Sequence, residues 1–253
     1  MPRTARKKSL TGIYHIVIKG NDRQIIFEER ADYKKYIRIL KWYKDECHFK
    51  LFAYCLMSNH VHLIIQVTDT SLETIFRKIN TRYALWFNAK YQRSGHVQDG
   101  RFYSEPIENA NYLRNAIRYI HNNPAKAGLE QAPGLSYHWS SIHEYISNAN
   151  RLVDTNYIYS LFSYNELIEN DDLAEQSNFI DIDKFRVRIT DDTAIEIIKK
   201  ECSCANIAEF ASFSPEMQNA YIRKLHEMGI SIRQLNRLTG ISRGALQKII
   251  RTQ

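Results

Sequence analysis

Between residues 12 and 107 the chain switches repeatedly between two hydrophobic periods, and the order of the switches limits what it can fold into. Residues 12–19 (GIYHIVIK) are β-branched and aromatic, as a strand requires. From 30 to 47, Tyr33, Ile37, Leu40 and Tyr43 recur at helical spacing. Residues 49–56 (FKLFAYCL) and 60–67 (HVHLIIQV) then read as two strands joined by the short turn 57–59, a hairpin without the strongest Asn-Gly signal. Ser71 is a good N-cap, and Leu72, Ile75, Phe76, Ile79, Tyr83, Trp86 and Phe87 define an amphipathic helix to about 91. Residues 100–107 predict a short edge strand. Asn109 opens a last helix that Pro124 should stop. Strand, helix, hairpin, helix, strand and helix in that order point to an α+β fold: an antiparallel sheet with helices packed on it.

With 253 residues, 44% of them hydrophobic, the chain can bury a real core. No apolar run approaches the length of a membrane span, and no apolar stretch follows the basic N-terminus as in a secretory signal. No membrane association and a cytoplasmic setting are therefore expected. The four cysteines, at 47, 55, 202 and 204, fit no zinc motif and read as reduced thiols. The net charge of +7 is unevenly spread. Residues 1–150 carry 22 Lys/Arg against 13 Asp/Glu, 165–201 carry 5 against 11, and 202–253 carry 7 against 3. Two basic regions flanking an acidic one are compatible with a phosphate backbone as partner. The expected organisation is a catalytic domain over 1–150, an acidic helical linker region over 151–213 and a tail over 214–253.

His60 and His62 lie two apart on a strand and so project from one sheet face, with Val61, Leu63 and Ile65 on the other. If that face is open, two neutral imidazoles side by side suit a divalent metal. On the 109–123 helix, Leu113, Ile117 and Ile120 form the core stripe, and Tyr112, Asn115, Tyr119 and Asn123 run beside it. Tyr119 and Asn123, four apart, can point at one spot. Asn123 offers a hard oxygen ligand, and Tyr119 a phenol able to attack a phosphodiester. Each feature alone is weak: paired histidines are often only a surface pair, and any one of 16 tyrosines is ordinarily a packing residue.

Taken together, YHIVIKGNDRQIIF (14–27), YCLMSNHVHLII (54–65), FRKINTRYALWFNAKYQRSGHVQDGRFYS (76–104) and YLRNAIRYIHNNPAKAGL (112–129) resemble the single-tyrosine HUH transposases, in particular their REP-associated tyrosine branch. The resemblance implies a ferredoxin-like fold. It makes His60 and His62 metal ligands, Tyr119 the nucleophile and Asn123 the third ligand, with Asn122 as the alternative. It implies Mg²⁺ or Mn²⁺, and a single-stranded DNA substrate folded as a hairpin. Cleavage would leave a 5′-phosphotyrosine and a free 3′-hydroxyl, and reversal would join a new strand. Monomer and homodimer both stay open, as does whether the tyrosine serves its own subunit.

Further DNA contacts are expected from the basic, aromatic-interleaved segment 77–101, through Arg77, Lys78, Arg82, Arg93 and Arg101, with Trp86 and Phe87 buried. Arg23 and the arm Arg3-Arg6-Lys7-Lys8 are further candidates. In the tail, 232–251 (IRQLNRLTGISRGALQKIIR) has helix-turn-helix spacing, with Arg243, Gln247 and Lys248 facing the groove of duplex DNA. Two other functions compete: a DNA-binding protein of the same fold that cuts little or not at all, and a metal-dependent hydrolase of small phosphoesters. The second leaves the basic helix and the tail without a role.

Overall fold

The computed structural model describes residues 6–134, 136–168 and 189–251. The chain divides into two compact units, Met1–Val187 and Arg188–Gln253.

The first unit is built on a four-stranded antiparallel sheet, β1 (Ile13–Lys19), β2 (Lys50–Met57), β3 (His60–Gln66) and β4 (Tyr103–Pro106), in spatial order β2-β3-β1-β4. Between strands lie α1 (Arg30–Cys47) and α2 (Leu72–Lys90), and α3 (Ala110–Lys126) follows β4. Strand–helix–strand, repeated with this order, is the ferredoxin-like topology, so the α+β expectation holds. Alternation fixes what each face carries. Register sets Val17 opposite His62, Lys19 opposite His60, and Cys55 and Met57 opposite His62 and His60. These residues share a face with His15. Ile16, Ile18, Val61, Leu63 and Ile65 take the other, which is left to α1 and α2; those two helices pack against each other.

The face bearing the histidines is not open, as the sequence suggested. Helix α3 packs on β2 and β3 and covers it, leaving His62 fully buried and His60 only 8% exposed. Nor does Pro124 stop α3, which runs on to Lys126. Proline costs most in a helix interior, where it removes a bond and crowds the preceding turn. Here it falls in the last turn. The stop is Gly128 at φ +70°, whose N–H bonds to the Ala125 carbonyl while the Leu129 N–H reaches Pro124 O. That pair of bonds is a Schellman cap. Asn109 caps the other end, its Oδ1 accepting from the Tyr112 N–H at 2.8 Å. His121 ties α3 sideways: its Nε2 lies 2.8 Å from Ser141 Oγ, which accepts from the Tyr54 N–H at the β2 edge.

Short helices α4 (Ile142–Ile146), α5 (Thr155–Tyr159) and α6 (Tyr164–Ile168) also belong to the first unit. Leu152, Val153, Ile158, Phe162 and Leu167 sit in the same core as the sheet, so the chain just past 150 is part of this unit rather than a linker. The second unit contains α7 (Asp191–Cys202), α8 (Pro215–Glu227), α9 (Ile232–Thr239) and α10 (Arg243–Arg251). Its core joins Ala194, Ile198 and Phe210 to Ile222, Leu225, Leu235 and Leu246. The tail therefore packs with chain upstream of 214. The acidic charge there is in use: Asp191 pairs with Arg237 and Glu201 with Lys224. Residues 169–188, the middle of the acidic stretch, lie outside the described residues. All four cysteines are buried free thiols. Among the described residues no helix is long and apolar enough to cross a membrane.

Candidate active site

The site lies between the β1/β3 face and α3. His60 and His62 rings stand with centroids 5.0 Å apart, nearly perpendicular. Tyr119, 4% exposed, sets its ring edge-on to His62 at 5.7 Å and to His15 at 6.0 Å. One turn further along α3, Asn123 is buried as well, its Nδ2 donating to the Tyr119 carbonyl at 3.0 Å. The Asn123 side chain lies close enough to His60 to favour its protonated form slightly, but makes no well-formed hydrogen bond to its Nε2. Asn122 is only half-buried.

Each histidine has one ring nitrogen engaged and one not. His60 Nδ1 lies 2.7 Å from Asn59 Oδ1, and His62 Nδ1 lies 3.0 Å from His15 Nε2. The Nε2 atoms of both are buried without a hydrogen-bond partner. Burial pushes the His60 imidazole down to about 3, helped by the Lys19 charge, and holds His62 well below the usual range, with His60, His15 and Lys19 adding to it. His15 is also lowered to about 3 by burial. All three are neutral near pH 7, the form that ligates metal. Two unpartnered neutral nitrogens beside an amide oxygen fit a hard divalent ion that keeps some of its water. Among the described residues no cluster of three or more His, Cys, Asp or Glu is arranged to hold a metal; the candidate set at this site is two imidazoles and an amide.

Sequence reasoning missed His15, Asn59, Lys19 and Lys126. Lys126, on the Tyr119–Asn123 side of α3, places its ammonium 5.0 Å from the Tyr119 ring centroid. Lys19 stands 4.6 Å from the ring centroid of Tyr103, an exposed residue paired with Val17 on the histidine face. The signals were there for Lys126, three residues past Asn123. They were weaker for His15, whose partner depends on register.

The predicted DNA contacts separate into groups. Arg77 and Arg101 line a groove of about 350 Å³ with Arg6, Phe76 and Phe102. Arg6 is held there, bonded to Glu73 and the Phe102 carbonyl and lying 3.9 Å over the Phe102 ring. The remaining cations of α2 and its loop have partners within the chain: Lys78 pairs with Glu46, Arg82 lies over Trp42, and Arg93 bonds Gln24. Phe87 is buried, whereas Trp86 is only half-buried. The Arg23 side chain and Arg3 lie outside the described residues. In the second unit, α9, the turn at Gly240 (φ +75°) and α10 form a helix-turn-helix, with Arg243, Gln247 and Lys248 exposed on α10.

The segment 8–123 matches the family model described as "Transposase IS200 like". That segment, a little under half of the chain, is similar to the IS200-like transposases. The matched segment holds His15, Asn59, His60, His62 and Tyr119 and closes on Asn123. A Haemophilus influenzae protein named "Putative REP-associated tyrosine transposase" is 28% identical over 147 residues, covering 52% of this chain and 80% of that protein. Among solved structures, a REP-associated tyrosine transposase bound to a REP hairpin superposes with a TM-score of 0.54 at 17% identity, over 71% of this chain and 96% of the other. That likeness shows the shared fold. The match to a transposase family supports a DNA-processing enzyme in broad class.

Proposed function

We propose that this chain cleaves and rejoins single-stranded DNA carrying a hairpin, with Tyr119 as nucleophile. The observation that carries the proposal is the meeting of Tyr119 and Asn123 with two buried imidazoles whose Nε2 atoms lack partners, all inside an IS200-like segment. The hairpin bound by the solved relative supports that form of substrate.

In the proposed step the Tyr119 phenol oxygen attacks the scissile phosphorus and loses its proton. The P–O3′ bond breaks, the 3′-oxygen takes up a proton, and the phosphate is left on the tyrosine as a 5′-phosphotyrosine. A 3′-hydroxyl then attacks that phosphorus, the phenolate leaves, and the strand is rejoined. The ester conserves the energy of the bond broken, so no nucleotide cofactor is needed. His60, His62 and Asn123 are the residues that would hold Mg²⁺ or Mn²⁺. The chemistry such an ion supplies when bound is polarisation of the phosphate and offset of its developing charge. Lys126, over the Tyr119 ring, and Lys19, whose charge is felt by His60 and His62, bring positive charge that would favour a bound phosphate.

Tyr119 is almost wholly covered, and this favours a second reading: a protein of the same fold that binds hairpin DNA and seldom cuts. The two readings part in one experiment. Full-length protein is incubated with a 3′-labelled, hairpin-bearing single strand and Mn²⁺, then run under denaturing conditions. Protein-linked label that is absent with Tyr119→Phe and in EDTA supports cutting. Tight binding without any adduct supports the binding protein. An adduct that persists in Tyr119→Phe assigns the nucleophile to another tyrosine, Tyr112 first. Equal cutting of fully duplexed DNA would contradict the hairpin substrate.

A further inference from the structure

We propose that His15 is a positioning residue for His62: its Nε2 accepts the His62 Nδ1 proton and so keeps the His62 Nε2 lone pair turned into the site. The inference rests on the metal-site reading above and concerns a residue outside the ligand set.

The geometry is specific. His15 and His62 lie on neighbouring strands, β1 and β3, offset by two residues in register, since His62 sits opposite Val17. Their rings stack with centroids 5.3 Å apart and planes 24° apart, and the nitrogens are 3.0 Å from each other. Both residues are fully buried, so the contact is shielded from water.

A neutral imidazole has one N–H and one lone pair. Two arrangements satisfy the shared bond. In one, His62 donates from Nδ1 and its Nε2 carries the lone pair. In the other, His15 donates from Nε2, and His62 must carry its proton on Nε2. The second leaves a buried N–H without an acceptor, because His62 Nε2 has no hydrogen-bond partner. The first puts its extra buried N–H on His15 Nδ1 instead, so donor satisfaction is equal in the two. They differ at the site: only the second places a proton where a metal would bind. On the metal reading the first arrangement is therefore the one that serves His62 as a ligand.

His60 shows the same logic with a different acceptor. Its Nδ1 lies 2.7 Å from Asn59 Oδ1, and an amide oxygen can only accept, so Nδ1 carries the proton and Nε2 the lone pair. Each candidate ligand therefore has its outer nitrogen held by a neighbour, an amide in one case and an imidazole in the other. Such outer partners set ring orientation and tautomer in metal sites generally. A packing role alone would require only a ring of similar size at position 15.

The test uses the full-length chain labelled with ¹⁵N-histidine, in three forms: wild type, His15→Phe and His15→Gln. Phenylalanine keeps the ring and removes the acceptor; glutamine restores an acceptor oxygen. Long-range ¹H–¹⁵N spectra of the metal-free protein report the His62 tautomer directly. Mn²⁺ titration followed by electron paramagnetic resonance reports affinity, and His62→Ala serves as the control for the site itself. We expect His62 protonated at Nδ1 in the wild type and shifted away from that form in His15→Phe. Mn²⁺ affinity should fall about 10–100-fold in His15→Phe, the usual cost of losing such a partner, and recover in part in His15→Gln. A wild-type His62 protonated at Nε2 overturns the proposal, and this outcome needs no folded variant. So does a His15→Phe protein with unchanged tautomer and Mn²⁺ affinity while His62→Ala loses the ion; the metal reading would then survive without it. If the tautomer shifts as expected but no form binds Mn²⁺, even with hairpin DNA, His15 positions His62 and the metal reading fails.

Discussion

The first unit keeps its chemistry inside, and the second displays it. In the first, three histidines, a tyrosine and an asparagine lie between sheet and helix, each less than a tenth exposed. In the second, the core around Phe210, Leu225 and Leu235 is apolar, and the polar residues expected to meet DNA stand on the outer face of α10. A buried polar group must be matched by a partner or it destabilises the fold. That cost makes the unpartnered His60 and His62 nitrogens informative. An exposed arginine on a short helix costs nothing to display, so its presence alone says little. The same contrast holds within the first unit. Most cations of α2 have partners in the chain, while Lys126 on α3 stands over a buried tyrosine ring.

The largest expected effect breaks the inner chemistry and spares the outer. Tyr119→Phe should reduce protein-linked DNA to background while leaving duplex affinity unchanged, measured on the same preparation by denaturing gel and by anisotropy. Loss of both activities together would mean that the two units do not divide the work as proposed. Next in size, His60→Ala or His62→Ala should slow cutting about a thousandfold, since a bound metal ion contributes several kcal/mol to such a transition state. Hairpin binding should survive. Undiminished cutting by either variant, or by the wild type in EDTA, would remove the metal role.

Acid should separate the units as well. Burial depresses His15, His60 and His121 to about 3 and holds His62 well below its usual range. A group lowered in the folded state supplies stability that is present above its unfolded value, near 6.5 here, and is lost as pH falls towards the folded value. Each such histidine can contribute at most about 1.4 kcal/mol per pH unit in that window. All three tryptophans, Trp42, Trp86 and Trp139, lie in the first unit, and the second holds a single histidine, His226. Tryptophan fluorescence therefore reports the first unit alone. Its melting temperature should drop steeply between pH 6.5 and 4.5. A flat profile over that range would show that these histidines do not stay neutral in the fold.

The sheet, its two crossing helices and both helix caps were legible because they depend on local patterns: period two, period 3.6, Ser71 and Asn109 before apolar runs. The placing of His60 and His62 on one face followed from alternation. What covers that face did not, because α3 reaches it through tertiary packing. His15 was hidden for a related reason. Its strand reads as apolar, and only the β1–β3 register brings it to His62; a slip of one residue would send it to the other face. Pro124 misled because a strong breaker was weighed above the Gly128 cap four residues later. The acidic stretch read as a linker by charge, although Ala194 and Ile198 on α7 already carried the apolar spacing that joins it to the tail's core.

The smallest effect concerns the displayed face, and that packing changes how it must be tested. Cutting the chain at 214 would strip α8, α9 and α10 from α7 and expose Ala194, Ile198 and Phe210, so lost binding could reflect a disrupted core. Point variants avoid this. Arg243 and Gln247 are exposed, one helical turn apart, at the start and middle of α10, and Leu246 between them holds the helix to the core. Arg243→Ala with Gln247→Ala leaves that anchor, the Gly240 turn and the Asp191–Arg237 pair untouched, so the fold should keep its melting temperature. If α10 enters the groove of duplex DNA, the double variant should weaken binding to long sites with flanking duplex by about 1–3 kcal/mol for each lost base contact. Binding to a short hairpin should not change. Lys248→Ala should act differently: a phosphate contact carries no sequence information, so affinity should fall evenly across sequences and the slope of log K against log salt should flatten by about one. A salt-titrated binding series on long and short sites reads all of this. If every variant binds both sites like the wild type, α10 is not a DNA reader. The second unit is then better understood as a helical bundle, with its basic face a solvated surface.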